Sequence, residues 1–355
     1  MTSETSAIST KNSSRNWLQY LFSDWERTQL VISFLLIVLV GLISVLFNTP
    51  YVLGILILAT LYAYVGITWN IVAGFAGQLL IAHVIFLGIG AYTTIVLNDR
   101  FGITPWLGIP AAGIVAGLLG VLISVITLRY GLKADYFALF TIALMVTLKT
   151  LFLKWKFVGA SLGLWLQLSN TGWKNMIFAT KQPYLYIIMG ILALGIIVQY
   201  IIYRSKTGKY LLAIREDESA AAALGVNTSL YKTYAVVIGA VMAGIAGGFY
   251  VMYVNFVEPP QVFDLGFNVE IVMASPIIGG LGSLLGPIIG AFINKPLAEL
   301  IRGLLTAETS GTSLIIYGSF LILSILFMPR GIAGVVQDVY LKLRRRSTDH
   351  LPGGS

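Results

Sequence analysis

The side chains that most often catalyse reactions or bind metals are scarce in this sequence. It contains no cysteine and two histidines, His83 and His350. Zinc sites need three or four clustered ligands, so no metal site is expected. The phosphate-binding loop, GxxxxGK followed by Ser or Thr, is missing as well, since Gly208-Lys209 precedes Tyr210 and lacks the upstream glycine. The sequence therefore predicts neither an enzyme nor a bound cofactor.

One catalytic arrangement stays open, an intramembrane serine protease built from Ser275 or Ser283 with Lys295. Small residues such as serine also let helices pack closely in membranes, and this explains both serines without chemistry. Lys295 has another partner in the sequence, because Glu299 lies four residues later on the same helical face. We expect these two side chains to form an ion pair.

Polar side chains inside apolar segments are better candidates for function. Burying an amide or a charge in lipid costs free energy, so such groups commonly mark the path of a solute. Asn70, Gln78, His83 and Glu270 meet this criterion. Two alternatives stay open: Glu270 reaches the outer headgroups or caps a helix, and His83 makes a hydrogen bond at a helix break.

Two glycine-rich stretches lie beside these residues, GFAGQLLIAHVIFLGIG at 74–90 and GGLGSLLGPIIG at 279–290. Gly and Pro at this density predict discontinuous helices, which survive at membrane depth only where protein buries them or where they line a watery cavity. Gly279, Gly280 and Gly282 therefore join the candidate path residues. The alternative is that these glycines serve helix packing alone.

The elements that position these residues follow from the composition. Of the 355 residues, 57% are hydrophobic and 11% are charged, whereas about 25% are charged in an average globular chain. A surface with so few charges is stable only in lipid. The predicted fold is an all-α polytopic membrane protein with about ten transmembrane helices, within a range of about eight to eleven. The predicted spans are 29–47, 51–72, 80–98, 105–128, 135–153, 183–203, 231–253, 267–282, 285–303 and 312–329.

The basic residues orient this fold rather than bind nucleic acid, because they lie between and beyond the apolar runs. In the ten-span arrangement, fifteen of the 23 Lys and Arg residues fall on the side of the N-terminus and six on the other. This excess predicts that both termini are cytoplasmic, provided that residues 267–303 cross twice. The chain then divides into a polar cytoplasmic tail (1–28), a transmembrane domain (29–329) and a basic cytoplasmic tail (330–355).

A faint internal repeat relates the two glycine-rich regions. Residues 66–92 overlay residues 266–292 without a gap, with six of 27 positions identical. Transporters often arise from duplicated halves with the substrate path between them. Chance matches in Gly- and Ile-rich sequence are the alternative.

The least hydrophobic interior stretch is 204–232, RSKTGKYLLAIREDESAAAALGVNTSLYK, which we call the polar segment. Its acidic start, alanine run and glycine predict a helix from Ala213 to Leu224 that stops at Gly225. A short helix with a small-residue face suits docking into the groove of a partner. The alternative is a solvated connecting loop.

Four motifs, in order along the chain, carry a resemblance to a known family. AIREDESAAAALGVN resembles the cytoplasmic EAA-type segment in permease subunits of branched-chain amino acid ABC importers. NIVAGFAGQLLIAHVIFLGIGAYTT, NVEIVMASPIIGGLGSLLGPIIGAF and FMPRGIAG resemble the two signatures and the end of that family. The resemblance spans roughly residues 50–345, and within the family the chain looks like the longer of two paired permeases.

The resemblance implies an ATP-driven importer of branched-chain or neutral amino acids that works by alternating access in the cell (inner or plasma) membrane. The implied partners are a second permease subunit, two cytoplasmic ABC ATPase subunits that hydrolyse ATP, an extracytoplasmic substrate-binding protein and membrane lipid, with no nucleic acid. The residues implied for coupling to the ATPases are Arg215, Glu216, Asp217, Glu218, Ala220, Ala221 and Gly225.

The sequence departs from the family at two places. It has LIAH, ending at His83, where many members have SLGH, and VGASLGL at 158–164 where many have a GG-x-NG stretch. Because the second loop borders the expected entrance, the substrate stays open, and urea or a short-chain amide is the alternative. A passive channel is the alternative from another class, but a channel has no need of a docking segment.

Overall fold

The computed structural model describes residues 5–129, 134–166, 172–304, 310–328 and 331–338. These residues are almost entirely helical, which confirms the predicted all-α class. Two short strands, β1 (Leu164–Trp165) and β2 (Phe256–Val257), pair antiparallel. The helices are α1 (Thr5–Leu46), α2 (Pro50–Trp69), α3 (Val84–Phe101), α4 (Pro105–Arg129), α5 (Ala134–Lys154), α6 (Gln182–Arg204), α7 (Lys206–Glu216), α8 (Glu218–Ala223), α9 (Thr228–Val254), α10 (Pro259–Val262), α11 (Leu265–Asn268), α12 (Ala274–Gly279), α13 (Gly286–Leu304) and α14 (Ser310–Phe327).

Seven helices in the described part of the chain are long and apolar enough to cross a membrane. They correspond to α1 to α6 and α9, and the second of them continues past α2 to Phe75. The chain is therefore a multi-pass membrane protein. The last three predicted spans correspond to the shorter apolar stretch Leu265–Gly279, to α13 and to α14, so the count of ten stays a prediction. Two predicted boundaries are wrong. The third span begins at Val84 instead of residue 80, and the span predicted to reach residue 282 ends at Gly279, because in both places glycine-rich backbone leaves the helix.

Small residues let α9 pack closely against α3 and α4. A Cβ atom on Gly90 of α3 would lie 2.2 Å from the carbonyl oxygen of Gly244, and one on Gly117 of α4 would lie 2.6 Å from a methyl group of Val241. Residues larger than glycine would separate these helices. Small residues are therefore required at this contact.

The two glycine-rich stretches interrupt helices, as predicted. The first follows α2, which continues as a π-helical turn over Asn70–Phe75 and then loses helical structure over residues 76–83, the first break. The second follows α12, and residues 280–285 form the second break before α13 begins. A π-helical turn, Val269–Met273, also precedes the second break. The two π-helical turns start at nearly equivalent positions of the aligned repeat, and this agreement supports the duplication.

Contacts between distant helix ends define one end of the bundle. Arg204, at the end of α6, forms an ion pair with Glu26 of α1 at 3.6 Å. Gly331 lies against the second break, since a Cβ atom on it would be 2.2 Å from the amide nitrogen of Gly280. The start of the α1 span, the residues after α14 and the polar segment therefore lie at the same end. Helix α1 begins well before its span, so the predicted N-terminal tail is helical from residue 5, and residues 339–355 of the predicted C-terminal tail lie outside the described residues.

Candidate functional site

The polar segment folds into two short helices, α7 and α8, instead of one. Asp217 separates them: its backbone is extended (φ −156°, ψ 107°), and its carboxylate accepts hydrogen bonds from two amide groups in the first turn of α8. The single helix predicted from Ala213 to Leu224 is therefore wrong, because a residue that caps a new helix interrupts the old one. The predicted stop at Gly225 is confirmed, since this residue adopts φ +85°, a conformation that glycine reaches at little cost.

Most residues implied for coupling face water at this end of the bundle. Six of the seven are exposed, and Ala221 is the buried one. Glu218 pairs with Lys232 at the start of α9 at 2.5 Å. Leu224, which the sequence analysis did not single out, is 87% exposed on the same segment. Burial of a leucine side chain contributes about 1.5–3 kcal/mol, so a partner that covers Leu224 would gain affinity from this contact.

The polar segment and the first break together line a cavity of about 230 Å³. Gln78 lines it from the break, and Arg215, Glu216 and Asp217 line it from the polar segment. The side-chain oxygen of Gln78 is buried and has no hydrogen-bond partner among the described residues. This candidate path residue therefore lies where the polar segment and the transmembrane helices meet.

Arg215 points from the polar segment into the bundle. Its Nη1 donates a hydrogen bond to the carbonyl oxygen of Gly74, at the end of the first π-helical turn, at 2.7 Å. Its Nη2 donates to Glu216 Oε1 at 2.8 Å. The same guanidinium group adjoins the second break, since a Cβ atom on Gly282 would lie 2.4 Å from Nη1. Arg215 thus contacts both interrupted helices at once.

The three candidate glycines all lie at the second break. Gly279 is the last residue of α12, and Gly280 and Gly282 follow with φ of +118° and +83°. In this left-handed region a side chain on Gly282 would be strained, and it would also meet Arg215. Their position at the break is established, whereas their contact with a substrate path stays a prediction.

Asn70 connects the first interrupted helix to the second break. This side chain is fully buried; its Oδ1 accepts a hydrogen bond from Gly282 N at 2.7 Å, and its Nδ2 donates to Ser283 O at 2.8 Å. Backbone groups that leave a helix inside a membrane need such partners, because lipid offers none. Asn70 therefore stabilises the backbone of the second break. This structural role explains a buried amide at position 70 without any contact to substrate.

Asn268 makes the reciprocal connection, from the second interrupted helix to the first break. It is also fully buried, its Oδ1 accepts a hydrogen bond from Val84 N at 2.8 Å, and its Nδ2 donates to Ile81 O. Each break is therefore held by an asparagine at or beside the π-helical turn of the other half. The sequence analysis missed Asn268, although an amide in an apolar span was the criterion that found Asn70.

Two glutamines that the sequence analysis also missed complete the second break. Gln29 of α1 accepts hydrogen bonds from Leu284 N and Leu285 N at 3.0 and 3.3 Å. Gln199 of α6 donates to Ser283 O at 3.4 Å. Both glutamines are buried, and the amide-in-a-span criterion would have found them too.

Glu270 belongs to a separate cluster of charges on α13 and the second π-helical turn. Its carboxylate accepts hydrogen bonds from Arg302 Nη2 at 2.8 Å and from Tyr62 Oη at 3.1 Å. Lys295 and Glu299 form the predicted ion pair at 2.5 Å, and Arg302 also approaches Glu299 at 3.6 Å. Two acidic and two basic groups thus balance each other in this cluster, which lowers the cost of burying them.

His83 lies fully buried at the end of the first break. Its Nε2 is 2.9 Å from the hydroxyl oxygen of Thr68, which donates its single proton to Val65 O at 2.7 Å. This bond is of the kind expected in the alternative interpretation of His83, a hydrogen bond at a helix break.

Comparison with known proteins identifies the family. Residues 51–325 match the family model described as "Branched-chain amino acid transport system / permease component". The chain belongs to this family. It is a permease subunit of an ABC importer, and this agrees with the resemblance carried by the four sequence motifs.

Three relatives illustrate the range of permeases to which the chain is similar. The high-affinity branched-chain amino acid transport system permease protein LivM of Escherichia coli K12 is 28% identical over 81% of this chain and 71% of its own. The corresponding LivH protein of Salmonella typhimurium is 28% identical over 78% of this chain and 92% of its own. The nucleoside ABC transporter permease protein NupC of Lactococcus lactis is 28% identical over 62% of this chain and 69% of its own. No solved structure matches the chain.

Family membership also bears on the expectation that the chain is not an enzyme. The relatives are transport permeases, so the chain is a transporter subunit. Among the described residues, no group of three or more His, Cys, Asp or Glu side chains is placed to hold a metal ion.

Proposed function

We propose that this permease imports branched-chain or other neutral amino acids into the cytoplasm by alternating access. The description of the family and the names of its LivM and LivH relatives support this substrate class. The neutral charge balance around Glu270 also suits a solute without net charge. The proposed path residues are Gln78, His83, Glu270 and the glycines of the second break, with Asn70 as their support.

The proposed assembly contains a second permease subunit, two ABC ATPase subunits that hydrolyse ATP, and an extracytoplasmic substrate-binding protein. The observation that carries this proposal is the exposed surface of α7 and α8, which presents acidic side chains, small residues and Leu224 together. Acidic groups can pair with basic groups of an ATPase, and small residues permit close approach. The residues proposed for attachment are Glu216, Asp217, Glu218, Ala220 and Leu224, with Ala221 and Gly225 shaping the surface.

The proposed location is the cell membrane, with both termini cytoplasmic. Two independent observations support this orientation. The excess of basic residues falls on the side of the polar segment. The start of the α1 span contacts that segment through Glu26, and Gly331, after α14, lies against the second break, which Arg215 of that segment adjoins.

A nucleoside is the second candidate substrate, because the NupC relative aligns with this chain at the same identity. Urea and short-chain amides remain the alternatives that the family resemblance suggests. These solutes differ enough in size and hydrogen-bonding groups to be separated by direct competition.

The test is uptake into liposomes that contain the permease with its partner subunits and binding protein. We expect labelled leucine to accumulate only with ATP, and unlabelled valine to compete with it while urea and uridine do not. ATP-dependent accumulation of labelled uridine without accumulation of leucine would favour the nucleoside alternative. Uptake that continues without ATP would contradict an importer and favour a passive channel.

The attachment surface is tested with the double variant Glu216→Lys and Asp217→Lys. We expect the ATPases to co-purify poorly with it, because charge reversal replaces attraction by repulsion. The matched control is Lys206→Gln, which changes one charge on the same segment away from the acidic residues. Normal co-purification of the double variant would contradict this attachment surface.

A further inference from the structure

We propose that Arg215 transmits movement of the polar segment to both helix breaks, and that it does not bind the ATPase. This inference rests on the proposed function, in which ATPases push on the polar segment. It assigns a positioning role to one residue of that segment and separates it from its neighbours, which face outward.

The first step of the argument is the direction of the side chain. Arg215 Nη1 is bound to the Gly74 carbonyl at 2.7 Å, and the stem packs on the first break, where a Cβ atom on Gly77 would lie 2.9 Å from Arg215 Cγ. About a third of the side chain is exposed, against three quarters of Glu216. The two adjacent side chains therefore differ in exposure: Arg215 packs against the first break, and Glu216 lies mostly in water.

The second step is that the contact reaches two elements. Gly282 lies so close to the guanidinium that its missing side chain makes room for it. Two features therefore require glycine at position 282: its positive φ and the space that Arg215 occupies. Displacement of Arg215 therefore acts on the end of the first interrupted helix and on the second break together.

The third step is that the two breaks cannot move independently without loss of buried hydrogen bonds. Asn70 binds Gly282 N and Ser283 O, and Asn268 binds the far end of the first break. A buried donor or acceptor that loses its partner costs free energy, so the breaks favour concerted movement. Backbone without a continuous helical ladder is also the part of a membrane domain that deforms most readily.

These contacts form a continuous chain from a water-facing surface to the interrupted helices at membrane depth. Glu216 connects the exposed acidic surface to Arg215, since its carboxylate accepts hydrogen bonds from Arg215 Nε and Nη2 at 3.3 and 2.8 Å. A push on the acidic surface is thereby passed to Gly74 and Gly282 by one rigid, planar group. Continuity alone does not demonstrate coupling, so the experiment measures movement directly.

The experiment uses the complete importer in which the permease carries Ser283→Cys, a substitution that introduces a single thiol into this naturally cysteine-free chain. Ser283 lies in the second break and is partly exposed. Labelling of the introduced thiol by a hydrophilic reagent is measured with and without ATP in the parent, in Arg215→Gln, in Arg215→Lys and in the control Lys206→Gln. ATPase co-purification, ATP hydrolysis and transport are measured on the same samples.

We expect Arg215→Gln to retain its ATPases and their hydrolysis, while transport falls by about tenfold or more, the range set by one hydrogen bond of a charged group. Labelling of the thiol in the second break should no longer respond to ATP. Arg215→Lys should give a response between those of the parent and Arg215→Gln, because an ammonium group can reach one acceptor but not both. Lys206→Gln should resemble the parent.

Loss of ATPase attachment in Arg215→Gln would overturn the proposal, because Arg215 would then be an attachment residue. Parent-like transport and labelling in Arg215→Gln would overturn it as well. If the Arg215→Gln permease does not fold into the membrane, an unchanged ATP response in Arg215→Lys overturns the proposal. Failure of the proposed function looks different: the Glu216→Lys and Asp217→Lys variant would keep its ATPases, or transport would continue without ATP.

Discussion

Replacement of Asn70 by alanine tests how the second break is held. In the parent, Asn70 is fully buried and makes two short hydrogen bonds, from Gly282 N at 2.7 Å and to Ser283 O at 2.8 Å. In the variant, the N–H of Gly282 loses its acceptor, and no other described side chain accepts from it. The carbonyl of Ser283 keeps one donor, Gln199, at 3.4 Å.

The expected cost follows from this difference. A buried N–H without a partner costs about 1–3 kcal/mol, and a lost hydrogen bond whose acceptor keeps another donor costs about 0.5–1.5 kcal/mol. We therefore expect Asn70→Ala to lower the free energy of unfolding by about 1.5–4.5 kcal/mol. The matched control is Gln199→Ala, which removes only the longer bond and should cost about 1 kcal/mol or less.

The assay is reversible unfolding of the purified permease in mixed micelles by increasing SDS, followed by tryptophan fluorescence. Transport is measured in parallel, and we expect Asn70→Ala to lose more of it than Gln199→Ala does. A change below about 0.5 kcal/mol for Asn70→Ala would refute the reasoning, since that is the size of an ordinary surface substitution. An equal loss for both variants would also refute it, because the argument depends on the orphaned N–H of Gly282.

Four further predictions concern other parts of the chain. Leu224→Ala should weaken the affinity for the ATPase by about five- to thirtyfold, because it removes about 1–2 kcal/mol of apolar burial. The affinity is measured by titration of ATPase against detergent-solubilised permease, and an unchanged value would exclude Leu224 from the attachment surface. Gly282→Ala should abolish transport and lower stability by at least about 1 kcal/mol, since its backbone is left-handed and its Cβ would meet Arg215; parent-like transport would show that the break tolerates a side chain. Glu270→Gln should change the free energy of unfolding by about 1 kcal/mol or less, because its partner Arg302 is half-exposed. It should nevertheless reduce transport, and normal transport would remove Glu270 from the proposed path. Reporter fusions after residue 346 should be active only in the cytoplasm, and activity outside would contradict the orientation.

The sequence by itself determined the class of the protein, most of its spans and its family. These properties depend on composition, on apolar run length and on contiguous motifs, all of which are local along the chain. The stop at Gly225 and the ion pair of Lys295 with Glu299 were predictable for the same reason, since each involves neighbours within one or two helical turns.

The structure alone decided how the two breaks are held and where Arg215 points. Asn70 meets Gly282, and Asn268 meets Val84, across some two hundred residues. In one sequence nothing encodes which of several buried amides will face which backbone group, because that choice depends on helix packing in three dimensions. Arg215 lies one residue before the end of α7, and its contacts with Gly74 and Gly282 are likewise distant in sequence. The sequence analysis predicted one continuous helix there, and the cap at Asp217 divides it into two.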